Sequence, residues 1–180
     1  MISNFQYARR TAGILKMISI GLTTVMTVLA FVGHFYSNYT TNREEFRSQF
    51  TGNEVRSLWR EYFMLGVCVI CLAVSIINLF VHIVSRDLYW DKRTAIYDFM
   101  YHVGSVILIG AGGLLYVVSA VKIFEINCTT ENECQHFEVK LAATALALFL
   151  VFVNGTIAAV VLTNRKDVER DALIDEKEQA

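Results

Sequence analysis

Two cysteine pairs and four histidines are the side chains of this 180-residue chain best suited to chemistry. Cys68-Val69-Ile70-Cys71 has the C-x-x-C spacing of a thiol–disulfide couple, and Cys128 and Cys134 form a second pair six residues apart. The first pair lies inside a long apolar run, where a buried thiol is inert. Two small apolar cysteines packing in a helix is therefore the expected role. His34, His82, His102 and His136 are dispersed, and no His/Cys/Asp/Glu set has the spacing of metal ligands. The chain has no nucleophile elbow, no glycine-rich phosphate loop and no H-E-x-x-H. Asp98 and His102 stand one helical turn apart and could share a hydrogen bond. They fall at the end of an apolar run, so they are expected at a membrane interface, satisfied by water and headgroups, with a proton relay as the lesser alternative because such relays place their ionisable groups deeper. Asn78 and Asn154 are expected to hydrogen-bond between helices. No catalytic site, metal or cofactor follows from these residues, and a non-enzymatic protein is expected.

The elements that carry them are long and apolar. Hydrophobic residues make up 54% of the chain, proline is absent, and the charges are confined to short stretches. Between those stretches lie four charge-free runs, Met17 to Asn42, Tyr62 to Ser85, Phe99 to Val121 and Leu141 to Asn164. Each exceeds the ~20 residues a helix needs to cross about 30 Å of hydrocarbon, and none shows the polar stripe of a soluble helix. The fold class expected is all-α, a four-helix transmembrane bundle with spans at about 14–36, 62–85, 97–122 and 140–163. The first run is too long for a signal-peptide core and is expected to remain as a span.

Lys and Arg set the orientation. The N-terminal segment carries Arg9, Arg10 and Lys16, the middle connection Arg86, Lys92 and Arg93, and the segment after the last span Arg165, Lys166, Arg170 and Lys177. The other side holds Arg43, Arg47, Arg56, Arg60, Lys122 and Lys140, and the first-connection arginines among them are matched by Glu44, Glu45, Glu54 and Glu61. Both termini are thus expected in the cytoplasm, with two short extracellular loops and a charged, solvated cytoplasmic tail at 165–180. Tyr89, Trp90, Trp59 and Tyr62 suit the two interfaces. In this topology Cys128 and Cys134 occupy an oxidising compartment, and a disulfide between them is expected. Sequons at Asn38 and Asn127 fall outside too, but so close to the membrane that modification is not expected. The near-neutral net charge of −1 and the lack of a basic cluster argue against nucleic acid as a partner.

Small residues mark where membrane helices approach each other. Ser105, Gly112 and Ser119 recur every seven residues, and Gly110 and Gly113 lie beside them. Span four offers Ala143/Ala147 and Gly155/Ala159, and span one offers Ser19, Thr23 and Thr27. Such seams ordinarily hold a chain's own helices together, and one of them facing a second membrane protein is the alternative.

The four-span layout with cytoplasmic ends resembles the MARVEL-type tetraspan group. Lys92-Arg93-Thr94-Ala95, Gly112-Gly113 and Asn154-Gly155 make the chain similar, within that group, to the snakeskin-like septate-junction proteins of arthropods. Claudins carry a first-loop Trp and Cys signature, and tetraspanins carry C-C-G in a large second loop; neither occurs here. The cysteine pair Cys128/Cys134 has no counterpart in the snakeskin-like proteins, although a loop disulfide occurs in other MARVEL-type proteins. What the resemblance implies is a plasma-membrane component of lateral cell–cell junctions, associating with other integral membrane proteins or with itself. A vesicle-trafficking or membrane-apposition tetraspan is the alternative in the same class. The two cysteine pairs also resemble those of the vitamin K epoxide reductases, which would imply a thiol–disulfide oxidoreductase. In that family, however, the membrane pair follows the loop pair, and here it precedes it.

Overall fold

The computed structural model describes the backbone of residues 11–36, 58–84, 92–127 and 137–178, and the side chains of 11–36, 58–84, 94–124 and 137–163. These residues form four helices and no strand: α1 (Thr11–Phe35), α2 (Trp59–Val84), α3 (Lys92–Asn127) and α4 (Phe137–Glu178). Each contains a stretch long and apolar enough to cross a bilayer, namely Thr11–Phe35, Trp59–Val84, Thr94–Phe124 and Phe137–Thr163. The spans start about one turn earlier than the edges of the charge-free runs. That turn brings Lys16, Glu61, Asp98 and Lys140 inside them. At the other end, α4 runs on to Glu178, so the charged segment after the last span continues the helix.

The helices pack in a ring, α1 on α2, α2 on α3, α3 on α4 and α4 on α1, with the largest contact between α3 and α4. Neighbours run in opposite directions. Lys16 near the start of α1 reaches Asn78 late in α2 and Asp98 early in α3. A repeat of alternating three- and four-residue steps accounts for this arrangement. Buried positions of α1 at these steps are Ala12, Lys16, Ser19, Thr23, Met26, Ala30 and Gly33, with Gly13 and His34 buried beside them. In α3 the steps run through Asp98, His102, Ser105, Ile109, Gly112, Tyr116, Ser119 and Ile123, with Gly113 and Ala120 beside them, and in α4 through Lys140, Ala143, Ala147, Leu150, Asn154, Ile157 and Val161, with Thr144 and Ala158 beside them. In α2 the same steps run through Glu61, Met64, Cys68, Cys71, Ser75, Asn78 and His82. A seven-residue repeat keeps one seam of each helix on the common axis, as in coiled coils.

Large apolar side chains point the other way. Phe152 is 74% exposed and Ile107 64% exposed, with Phe80, Ile77 and Leu114 similarly outward. An apolar surface of that extent suits lipid and not water. Lipid gives helices no hydrophobic drive to associate, so close packing of small residues must supply it. A Cβ on Gly113 would lie 3.0 Å from the Ala147 Cβ, which has no rotamer by which to retreat. A Cβ on Gly33 would lie 2.9 Å from the Lys140 Cγ and 3.0 Å from the Tyr116 hydroxyl. Around Gly21, by contrast, nothing lies within 4 Å. Gly113→Leu is therefore expected to cost at least about 1–3 kcal/mol by forcing α3 and α4 apart. Gly21→Leu is expected to be close to neutral. Denaturant titration of both variants in the same detergent measures the difference.

Candidate functional site

Two polar layers cross the bundle, one toward each end, and every helix contributes to both. The first is centred on Asp98. Lys16 Nζ donates to Asp98 Oδ1 at 2.8 Å, to Asp98 Oδ2 at 2.7 Å and to Asn78 Oδ1 at 2.8 Å. Asn78 Nδ2 donates to Asp98 Oδ1 at 2.9 Å. His82 Nδ1 lies 2.8 Å from the Asn78 carbonyl, and His102 Nδ1 lies 2.9 Å from Asn154 Oδ1. The Nε2 atoms of both rings turn toward the carboxylate, His102 Nε2 at 3.4 Å from Oδ1 and His82 Nε2 at 3.8 Å from Oδ2. Beside this layer, the Tyr101 hydroxyl donates to the Cys71 carbonyl at 2.9 Å and meets Ser75 Oγ at 2.5 Å. A cavity of about 10 Å³ lies among Lys16, Ser19, Ser75, Asn78, Tyr101 and His102, close to the size of a single water site.

The second layer is centred on Glu61, in the first turn of α2, where the helix dipole favours a carboxylate. Lys140 Nζ donates to Glu61 Oε1 at 2.5 Å, and Ser119 Oγ donates to the same oxygen at 3.3 Å. His34 Nδ1 donates to Oε2 at 2.6 Å. The Tyr116 hydroxyl donates to the Ala30 carbonyl at 3.0 Å, and Lys140 Nζ lies 5.9 Å from the centre of the Tyr116 ring. Glu61 and His34 are fully buried.

Between the layers the axis is apolar, filled by Met26, Met64, Cys68, Ile109, Ala147 and Leu150. At 1.5 Å per residue, the layers stand roughly 21–32 Å apart along the helices, a span similar to the hydrocarbon thickness of a bilayer. The ion pairs follow the two diagonals of the ring. Lys16–Asp98 joins α1 to α3, and Lys140–Glu61 joins α4 to α2. Those helices are opposite each other and make no extensive contact of their own.

This arrangement corrects the placement expected for Asp98 and His102. They are 4% and 2% exposed and turn into the bundle, where Asp98 accepts from Lys16 and Asn78 and His102 Nδ1 meets Asn154. Lys16, counted with the cytoplasmic charges of the N-terminal segment, is 3% exposed. The four histidines looked dispersed, yet His82 and His102 converge on one carboxylate and His34 meets another. Asn78 and Asn154 do bond between helices. Among the seam residues, Ser105, Gly112 and Ser119 all face inward, and a Cβ on Gly112 would meet the Met64 sulfur at 3.1 Å. Gly155 and Ala159 face outward, with nothing within 4 Å of where a Gly155 Cβ would lie. Cys68 and Cys71 are free thiols, both buried in the axial core. Cys128, Cys134 and Asn38 lie outside the described residues, as does the side chain of Asn127, the last residue of α3. Among the described residues no group of three or more His, Cys, Asp or Glu could hold a metal ion.

The class that these elements define is a four-span, multi-pass membrane protein with an ion-paired interior. No family model, no curated protein and no solved structure matches the chain.

Removing one partner of a buried ion pair leaves the other charge uncompensated, a loss of about 3–5 kcal/mol, whereas replacing both is much milder. Lys16→Met is thus expected to destabilise the bundle by that amount, and Lys16→Met with Asp98→Leu by markedly less. A double-mutant cycle from reversible unfolding in detergent checks this; additive effects would mean the pair is not coupled.

Proposed function

We propose that this chain is a non-enzymatic plasma-membrane tetraspan that organises epithelial cell junctions of the septate type. It acts by lateral association with other integral membrane proteins, or with itself. In this reading both termini are cytoplasmic and the connections 37–57 and 128–136 are extracellular. The Lys/Arg asymmetry supports that orientation. Discounting the two buried lysines removes one from each side and leaves the bias in place. The septate-junction assignment draws on the likeness to snakeskin-type proteins in Lys92-Arg93-Thr94-Ala95, Gly112-Gly113 and Asn154-Gly155.

One observation carries the lateral-association reading. Ser105, Gly112, Gly113 and Ser119 of α3 are buried within the bundle, whereas Gly155 and Ala159, four residues apart on α4, face outward beside the exposed Phe152. Small residues at that spacing let a second helix approach closely, and a lipid-facing bundle has few other means of recognising a partner. The burial of Cys68 and Cys71 in the axial core supports a packing role for those thiols and does not favour electron transfer.

An internally tagged copy in a polarised epithelium tests the proposal. A continuous lateral band at cell contacts is the expected result, and diffuse endoplasmic-reticulum staining would contradict it. Gly155→Leu with Ala159→Leu is expected to weaken co-purification of membrane partners about tenfold while leaving the unfolding midpoint of the isolated protein unchanged.

A further inference from the structure

The donors and acceptors around Asp98 fix the tautomers of two histidines, and those tautomers create a site for a proton. Asn154 Nδ2 donates to the Leu150 carbonyl at 3.0 Å. That bond sets the amide, because the flipped form would turn its oxygen onto another acceptor. Asn154 Oδ1 therefore faces His102 Nδ1 at 2.9 Å, and Nδ1 must carry a hydrogen. His82 is set in the same way by the Asn78 carbonyl, 2.8 Å from its Nδ1. In a neutral imidazole the second nitrogen is then a lone pair. Both lone pairs face the same carboxylate, His102 Nε2 at 3.4 Å and His82 Nε2 at 3.8 Å. Among the described residues, buried His102 Nε2 has no hydrogen-bond partner.

We propose that the Asp98 layer is a proton-binding site, with the proton taken up on His102 Nε2. Uptake replaces a lone pair facing a carboxylate with an N–H that Asp98 can accept. It raises the layer, in which Lys16 balances Asp98, from zero net charge to +1. The groups facing His102 favour this assignment. From α1 comes Lys16, already occupied by Asp98 and Asn78; from α2 comes His82; from α3 come Asp98 and Tyr101; and α4 presents the uncharged Asn154. A water-sized cavity adjoins the ring. The cavity beside Lys16 is lined by His102 and by Ser19, and buried Ser19 Oγ has no partner among the described residues. A water there would have polar partners on two helices. The inference is independent of the junction reading, since it concerns only the interior of the bundle.

The test uses the full chain with 15N-labelled histidine in phosphatidylcholine nanodiscs, followed by NMR from about pH 9 to about pH 4.5, the range in which histidines titrate. His102→Asn and His82→Asn assign the signals. His102 Nδ1 is expected to be protonated throughout, and His102 Nε2 to pass from lone pair to N–H as pH falls. Asp98→Asn is expected to weaken proton binding at His102 at least about tenfold, because the new N–H then faces no charge. Should that variant fail to fold, Asn154→Leu serves instead, since it frees Nδ1 and is expected to change the resting tautomer. A His102 Nε2 that keeps its lone pair to pH 4.5, one already protonated at pH 9, or uptake confined to His82 would each overturn the proposal.

Discussion

Two lysines reaching across a ring of helices are the constraint on which this structure depends. Taking one charge out of water costs several kcal/mol, and in a bilayer the alternative is for a long side chain to snorkel back to the interface. Lys16 and Lys140 do neither, because each finds an acid on the opposite helix. The attraction recovers the desolvation cost only when geometry is good and the remaining donors and acceptors are used. Asn78 completes the set around Lys16, and Ser119 and His34 complete the set around Glu61. Since each pair spans a diagonal, together they fix which helices are opposite, in which direction each runs, and their register.

The space between the layers follows from the same geometry. Helices pinned at both ends must close on each other in the middle, where no ion pair holds them among the described residues. Small side chains allow that closure: Gly113 against Ala147 joins α3 to α4, and Gly112 against Met64 joins α3 to α2. Gly33 makes room for the Lys140 stem and the Tyr116 hydroxyl, so it serves packing and the ion pair at once. With polar chemistry confined to the axis, the outer surface is left apolar. That division suits a protein whose working surface is its lipid-facing side, where Gly155 and Ala159 of α4 lie exposed four residues apart.

The four spans are plain in the sequence because hydrocarbon thickness imposes length and apolarity on each helix. The polar layers are harder to see, because a run bounded by its first charged residue excludes Lys16, Glu61, Asp98 and Lys140 by construction. A signal was nevertheless present. Ser105, Gly112 and Ser119 recur every seven residues, and one further step back is Asp98. The same step from Thr23 gives Lys16, and from Ala147 it gives Lys140. Charges in phase with a small-residue seam face the axis, whereas charges out of phase face the interface. What no periodicity contains is the pairing itself. That Lys16 meets Asp98 and not Glu61 depends on the direction of each helix and on its neighbours, both tertiary properties. Inward and outward small residues are equally hard to distinguish by spacing alone, as Gly112 and Gly155 illustrate.

The most direct test is a distance measurement across the diagonals in lipid bilayers. Protein carrying 15N on lysine Nζ and 13C on Asp and Glu carboxyl carbons would be examined by solid-state dipolar recoupling. Strong dephasing at both Lys16–Asp98 and Lys140–Glu61 is the predicted result, given Nζ–oxygen separations of 2.7 Å and 2.5 Å. Loss of that coupling at either pair in the folded protein, with the lysine ammonium found at the lipid headgroups, would contradict the account.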